Sequence, residues 1–139
     1  MKSNGFTLVE LVAVLIILSA LALGVFSSFK GGEISQVQAS RDDFVAALLY
    51  GQQLAMARDS AANPIRVVAT ANSVSITENG APLLHGTVQY PLAFTGGVTV
   101  SPAATLNFDK LGRTQASVFT LSKSGASATV TVSDSGYAN

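Results

Sequence analysis

From Leu11 to Phe26 the chain runs sixteen residues without a charge and with Ser19 as the one hydroxyl, and Glu10 stands at the head of the run. Phe6 to Phe29 makes 24 residues, which as a helix at ~1.5 Å per residue reaches ~36 Å, more than the ~30 Å of a bilayer hydrocarbon core. The run predicts a membrane-spanning helix over 6–29. No other stretch of the chain constrains the fold so strongly, because such a segment has no place in a small soluble core.

A carboxylate well inside a spanning helix costs on the order of 2.5 to 3.5 kcal/mol, so Glu10 needs an explanation. Two remain open on spacing alone. Glu10 can lie shallow enough to meet headgroups and water. Alternatively, were the chain cut after Gly5, the new α-amino group on Phe6 would stand four residues away and could neutralise it, within one helix or between two staggered ones. One basic residue, Lys2, precedes the run and one, Lys30, follows it, so the positive-inside rule gives no orientation.

Beyond the run the hydrophobic period changes twice. Ile34, Val37, Phe44, Leu48, Gly51 and Ala55 recur near every 3.5 residues, with Ala47, Leu54 and Met56 widening the stripe, which predicts an amphipathic continuation of the helix over 30–62. Arg41, Asp42, Asp43, Gln52, Gln53, Arg58 and Asp59 fall mostly on its solvated side. Gly31-Gly32, like Gly24, is a place where the helix can bend, and Asn63-Pro64 ends it. From Ile65 the period is two: Ile65 to Thr70, Val74 to Thr77, Pro82 to His85, Thr87 to Tyr90, Val98 to Val100, Thr105 to Phe108, Ser117 to Leu121 and Ala128 to Val132. Asn79-Gly80 and other turn signals separate them. The expected fold is α+β, a long N-terminal helix whose second half covers antiparallel sheets in a β-rich head over 63–139. The first half is then left to lipid or to other helices.

Eight basic and eight acidic residues give zero formal charge, which argues against DNA or an acidic substrate as a global partner. There is no cysteine, so no disulfide closes a loop. His85 is the single histidine and cannot build a usual zinc site. Asp42 and Asp43 are adjacent on a helix and diverge by about 100°. Glu78, Asp109 and Asp134 come singly, unlike the clustered ligands of a calcium loop. No phosphate loop, dinucleotide loop or nucleophile elbow occurs. The chain reads as a non-enzyme without cofactor, metal or catalytic group.

Met-Lys-Ser-Asn-Gly at 1–5, then Phe6-Thr7-Leu8-Val9-Glu10 and the apolar run, resembles the class III signal of type IV prepilins and type II secretion pseudopilins. The resemblance implies a type IV pilin-like fold and a leader at 1–5. It also implies cleavage between Gly5 and Phe6 by a prepilin peptidase, N-methylation of Phe6, and Glu10 pairing with the Phe6 amine of a neighbouring subunit during assembly. Implied partners are other pilin or pseudopilin subunits through the N-terminal helix, an inner-membrane assembly platform and membrane lipid. The implied location is the bacterial inner membrane as a single-pass protein, the head in the periplasm, and then the pilus or pseudopilus. The chain departs from many pilins in having no proline near the end of the apolar run.

Within that class, the order helix, Arg58 to Val67, strands, Leu106 to Arg113 and a closing Val132 to Tyr137 segment is similar to the GspH/FimT group and to minor pilins of mannose-sensitive haemagglutinin pili. The implied role is a low-abundance subunit that primes or tips a filament. Some FimT-like members bind DNA through Gly-Arg-x-Arg. Here Gly112-Arg113-Thr114-Gln115 retains half of that motif, with Lys110 nearby, so Arg113 and Lys110 are the candidate DNA contacts of an alternative role in DNA uptake. The reading preferred for them is a tight turn at Gly112 with Arg113 in solvent.

Overall fold

A computed structural model describes residues 8–28, 31–58, 62–85 and 88–139. Gly5, Phe6 and the Phe29-Lys30 join lie outside the described residues. The chain divides into two units, Met1–Gly32 and Glu33–Asn139.

In the first unit, α1 spans Leu8–Ser28, with Glu10 in its first turn. A carboxylate there is favoured by the positive end of the helix dipole. Ser19, the one hydroxyl of the run, turns its Oγ–H back to the Leu15 carbonyl at 2.7 Å, which satisfies it without any outside partner. The side chains from Leu8 to Leu21 are all exposed. Among the described residues, no helix is long and apolar enough to cross a membrane.

The helix α2 spans Gly31–Ala57, all but its first two residues in the second unit. Val37, Ser40, Phe44, Ala47, Leu48, Gly51 and Ala55 are its buried residues, spaced three and four apart as one helical face. That face differs at its start from the predicted stripe. Ile34 is 57% exposed, and Ser40 is fully buried in its place.

Among the described residues ten strands follow: β1 Ile65–Ala69, β2 Ser73–Glu78, β3 Ala81–Pro82, β4 Leu84–His85, β5 Val88–Gln89, β6 Leu92–Ala93, β7 Thr99–Ser101, β8 Ala104–Phe108, β9 Ser117–Lys123 and β10 Ala126–Val132. The first sheet has the order β3-β2-β1-β8, with β6 also on β2; the second is β10-β9-β7; β4 and β5 form a small hairpin. Every pairing is antiparallel. Asn79 and Gly80 both take positive φ, 52° and 83°, so the turn from β2 into β3 is the primed hairpin that Asn-Gly favours. β8 does not pair with its chain neighbour β7. It returns to β1 with Val67 opposite Leu106, and the chain thereby passes from the second sheet to the first.

Alternation places Ile65, Val67 and Ala69 of β1, Leu106 and Phe108 of β8, Phe119 and Leu121 of β9, and Val130 and Val132 of β10 in one core with the helix face. Phe44 is its centre, edge-on to Phe119 at 5.0 Å between centroids and to Phe94 at 6.2 Å. Such pairs add about 1 kcal/mol each beyond burial. Gly51 lets α2 approach β1 where a larger residue would collide with Val67.

Candidate functional site

Two places carry the residues that the sequence singles out. The first is the head of α1. Glu10 is exposed in the first helical turn, beside Leu8, Val9, Leu11 and Val12, all exposed. The described surface here is an apolar helix with one acid at its front. The processing residues Gly5 and Phe6 lie outside the described residues.

The second place is the connection from β8 to β9. Asp109 organises it. Its Oδ1 accepts the backbone N–H of Leu111 at 2.9 Å and of Arg113 at 2.8 Å, and its Oδ2 accepts Arg113 Nε at 2.9 Å. The main chain closes the turn, Asp109 N–H donating to the Arg113 carbonyl and Gly112 N–H to the Asp109 carbonyl, each at 2.9 Å. Gly112 supplies the positive φ, 74°, that the turn requires. The Arg113 backbone N–H, aided by its guanidinium and by the Leu111 N–H, holds the Asp109 carboxyl below the usual carboxylate range against a smaller opposing effect of desolvation.

A helix residue anchors this turn from behind. Gln52 Nε2 donates to the Gly112 carbonyl at 3.1 Å and to the Ser135 carbonyl at 3.0 Å, and Thr114 N–H donates to the Asp134 carbonyl at 3.1 Å. One amide group thus ties the β8–β9 turn and the C-terminal segment to α2. A side chain at Gly136 would run into the Gly112 carbonyl. Gln52, read from the sequence as a solvated residue, is here a tether, and its half-buried position follows from the two loops that close over it.

Arg113 is therefore exposed but charge-paired, and Lys110 is exposed beside it. The three acids weighed for calcium are not brought together: Asp109 serves its own turn, Glu78 pairs with Arg58, and Asp134 offers its carbonyl to Thr114. Among the described residues no group of three or more metal-ligating side chains occurs. His85 lies in β4, part of the small hairpin.

Residues 1–26 match the family model of the prokaryotic N-terminal methylation motif. The fold is similar to the crystal structure of the type IV minor pilin FimU of Pseudomonas aeruginosa strain PAO1, with a TM-score of 0.55. Sequence identity is 18%, over 76% of this chain and 87% of that one. The likeness establishes the α+β fold of type IV pilins. No curated protein gives a significant match.

Proposed function

We propose that this chain, which carries the prokaryotic N-terminal methylation motif on a type IV pilin fold, is a structural minor pilin or GspH-type pseudopilin. It is made as a prepilin and incorporated into, or primes, a type IV pilus or a type II secretion pseudopilus. One observation carries the reading: the motif leads directly into a helix whose described side chains are exposed and, Glu10 and Ser19 apart, apolar, while the next helix buries its apolar face in its own head. A hydrophobic face left exposed on its own unit is contact area for something else.

In this reading a prepilin peptidase cuts between Gly5 and Phe6, Phe6 is N-methylated, and residues 6–29 hold the protein in the inner membrane with the head, 63–139, outside the cytoplasm. The continuous apolar run of the sequence supports the anchor. Glu10 then registers one subunit against the Phe6 amine of the next as an assembly platform feeds subunits into the filament. Nothing in this requires chemistry by the chain itself.

The pairing of Arg113 with Asp109 weighs against the DNA-uptake alternative. A guanidinium already neutralised by a neighbouring carboxylate gains less from phosphate, and Lys110 alone makes a weak footing. Intact-mass analysis of protein made with and without a prepilin peptidase tests the proposal. The expected result is loss of residues 1–5 and a methyl group on Phe6, both abolished when Gly5 is replaced by a bulky residue. An unchanged mass in the presence of active peptidase rejects it.

A further inference from the structure

We propose that Asn79 is a site of spontaneous deamidation, with the Gly80 backbone nitrogen as nucleophile, and that the Asn63 side chain sets the rate by holding the reacting carboxamide away from that nitrogen.

The reaction needs nothing but water. Gly80 N loses its proton and bonds to Asn79 Cγ, the Cγ–Nδ2 bond breaks, and ammonia leaves with the proton. Water then opens the cyclic imide at either carbonyl, to aspartate or to isoaspartate. Glycine is the residue that admits this chemistry, because it has no Cβ to crowd the attack and its backbone turns freely. Asn-Gly occurs twice in the chain, at Asn4-Gly5, which lies outside the described residues, and at Asn79-Gly80.

The turn leaves the nucleophile open. Asn79 and Gly80 are exposed at the tip between β2 and β3, and nothing comes within 4 Å of where a Gly80 side chain would stand. The Gly80 N–H has no hydrogen-bond partner among the described residues. It is free to ionise and attack.

The electrophile, by contrast, is held. Asn79 Nδ2, the group that has to leave, donates to Asn63 Oδ1 at 2.9 Å, and the Asn79 N–H donates to the Pro64 carbonyl at 3.3 Å. Side chain and main chain of Asn79 are thus both tied to the segment that leads from α2 into β1. For Cγ to reach Gly80 N the carboxamide must turn away from Asn63 and give up the first of these bonds. Asn63 itself cannot react in this way, since Pro64 follows it and has no N–H to lose.

Conversion alters the hairpin. Isoaspartate carries the main chain through one more methylene, so the tight turn that sets Glu78 opposite Ala81 and Thr77 opposite Pro82 loses its fit. Aspartate puts a carboxylate next to Glu78, whose own carboxylate pairs with Arg58. The isoaspartate product is a one-way release of β3 from the first sheet. The site uses nothing from the methylation motif and stands whether or not the chain is processed.

The test incubates the full chain in detergent micelles at mildly alkaline pH and follows the tryptic peptide 67–110, which holds Asn72, Asn79 and Asn107, by fragmentation mass spectrometry. The parent is expected to convert at Asn79 to mixed aspartate and isoaspartate, more slowly than the free peptide acetyl-Thr-Glu-Asn-Gly-Ala-Pro-amide. Asn63→Ala should quicken this by about three- to tenfold, the factor that one net hydrogen bond corresponds to. Asn63→Asp keeps an acceptor oxygen in the same place and should restore the parent rate. Conversion at Asn72 and Asn107, which a general loosening of the fold would quicken as well, should be the same in all three chains. Absence of conversion at residue 79 in every chain while the free peptide converts overturns the site. Equal rates in the parent and Asn63→Ala, an Asn63→Asp rate as fast as that of Asn63→Ala, or a parallel rise at Asn72 and Asn107 overturns the role of Asn63.

Discussion

Gly51 of α2 and Val67 of β1 meet so closely that a Cβ on the glycine would stand 2.5 Å from Val67 Cγ2, with the Phe108 ring 3.9 Å away. The helix can lie on the first sheet at this depth because residue 51 has no side chain. The contact is between a helix backbone and a β-branched residue whose χ1 is stiff, so neither side yields cheaply.

Replacing Gly51 by alanine sets two effects against each other. Alanine is worth up to about 1 kcal/mol in helix propensity, whereas overpacking a tight core costs typically 1–3 kcal/mol. The clash wins, and Gly51→Ala is expected to be net destabilising by roughly 1–2 kcal/mol. Adding Val67→Ala should recover part of the loss, giving a favourable coupling in a double-mutant cycle. Urea melts of the four proteins measure it; additive losses would show that the two residues do not meet.

Ser40 is fully buried on the same helix face, and its hydroxyl is without a hydrogen-bond partner among the described residues. A buried, unsatisfied polar group costs about 1–3 kcal/mol. Ser40→Ala removes the group and gains helix propensity, so the variant should melt higher than the parent, by roughly 1 kcal/mol. A lower melting temperature would mean that the hydroxyl has a partner in solution.

Gln52→Leu keeps the bulk of the side chain and deletes both donors to the Gly112 and Ser135 carbonyls. The expected loss is about 1–2 kcal/mol. More telling is its location: amide exchange should quicken in both the 109–114 turn and the 133–139 segment, 60 and 83 residues away in sequence at the two bonds. Faster exchange in one of them alone would contradict a shared tether.

The Asp109 carboxyl titrates below its ordinary range in the folded chain. A depressed folded pKa means that the unfolded state binds the proton more readily. The turn's contribution to stability is therefore present above the unfolded value and is lost as pH falls through the folded one. The Arg113 amide resonance should shift in acid with a midpoint below that of a free aspartate, and Asp109→Asn should remove the transition. A midpoint at the ordinary aspartate value would refute the turn's hydrogen bonding.

Glu10→Ala, if the acid registers subunits, leaves membrane insertion and the folded head intact but lowers recovery of the protein with other pilins, by tenfold or more on the order of a lost ion pair at low dielectric. Affinity pull-down from sheared filaments against the membrane fraction reads this directly. Normal incorporation would remove Glu10 from the assembly mechanism without touching the processing claim.

Periodicity alone marks the helix face Val37, Phe44, Leu48, Gly51 and Ala55 and most of the strand positions, because the residues that decide it are a few positions apart and act on one element. The Asn79-Gly80 turn is legible for the same reason. So is the short motif that opens the chain. The candidate turn was half legible: Gly112 announces it, but Asp109, two and four residues from the amides it binds, resembles any lone acid until the backbone is seen to curl around it.

The amino-acid sequence by itself determined the elements and their buried sides: an apolar N-terminal run, an amphipathic helix and short alternating strands that must close over it. The tertiary structure decided what lies next to what. It sent β8 back to β1, left Ile34 in solvent while enclosing Ser40, and brought Gln52 under two distant loops. These choices rest on contacts between residues far apart in the chain, whose free energy belongs to the packed arrangement and leaves no trace in any local pattern.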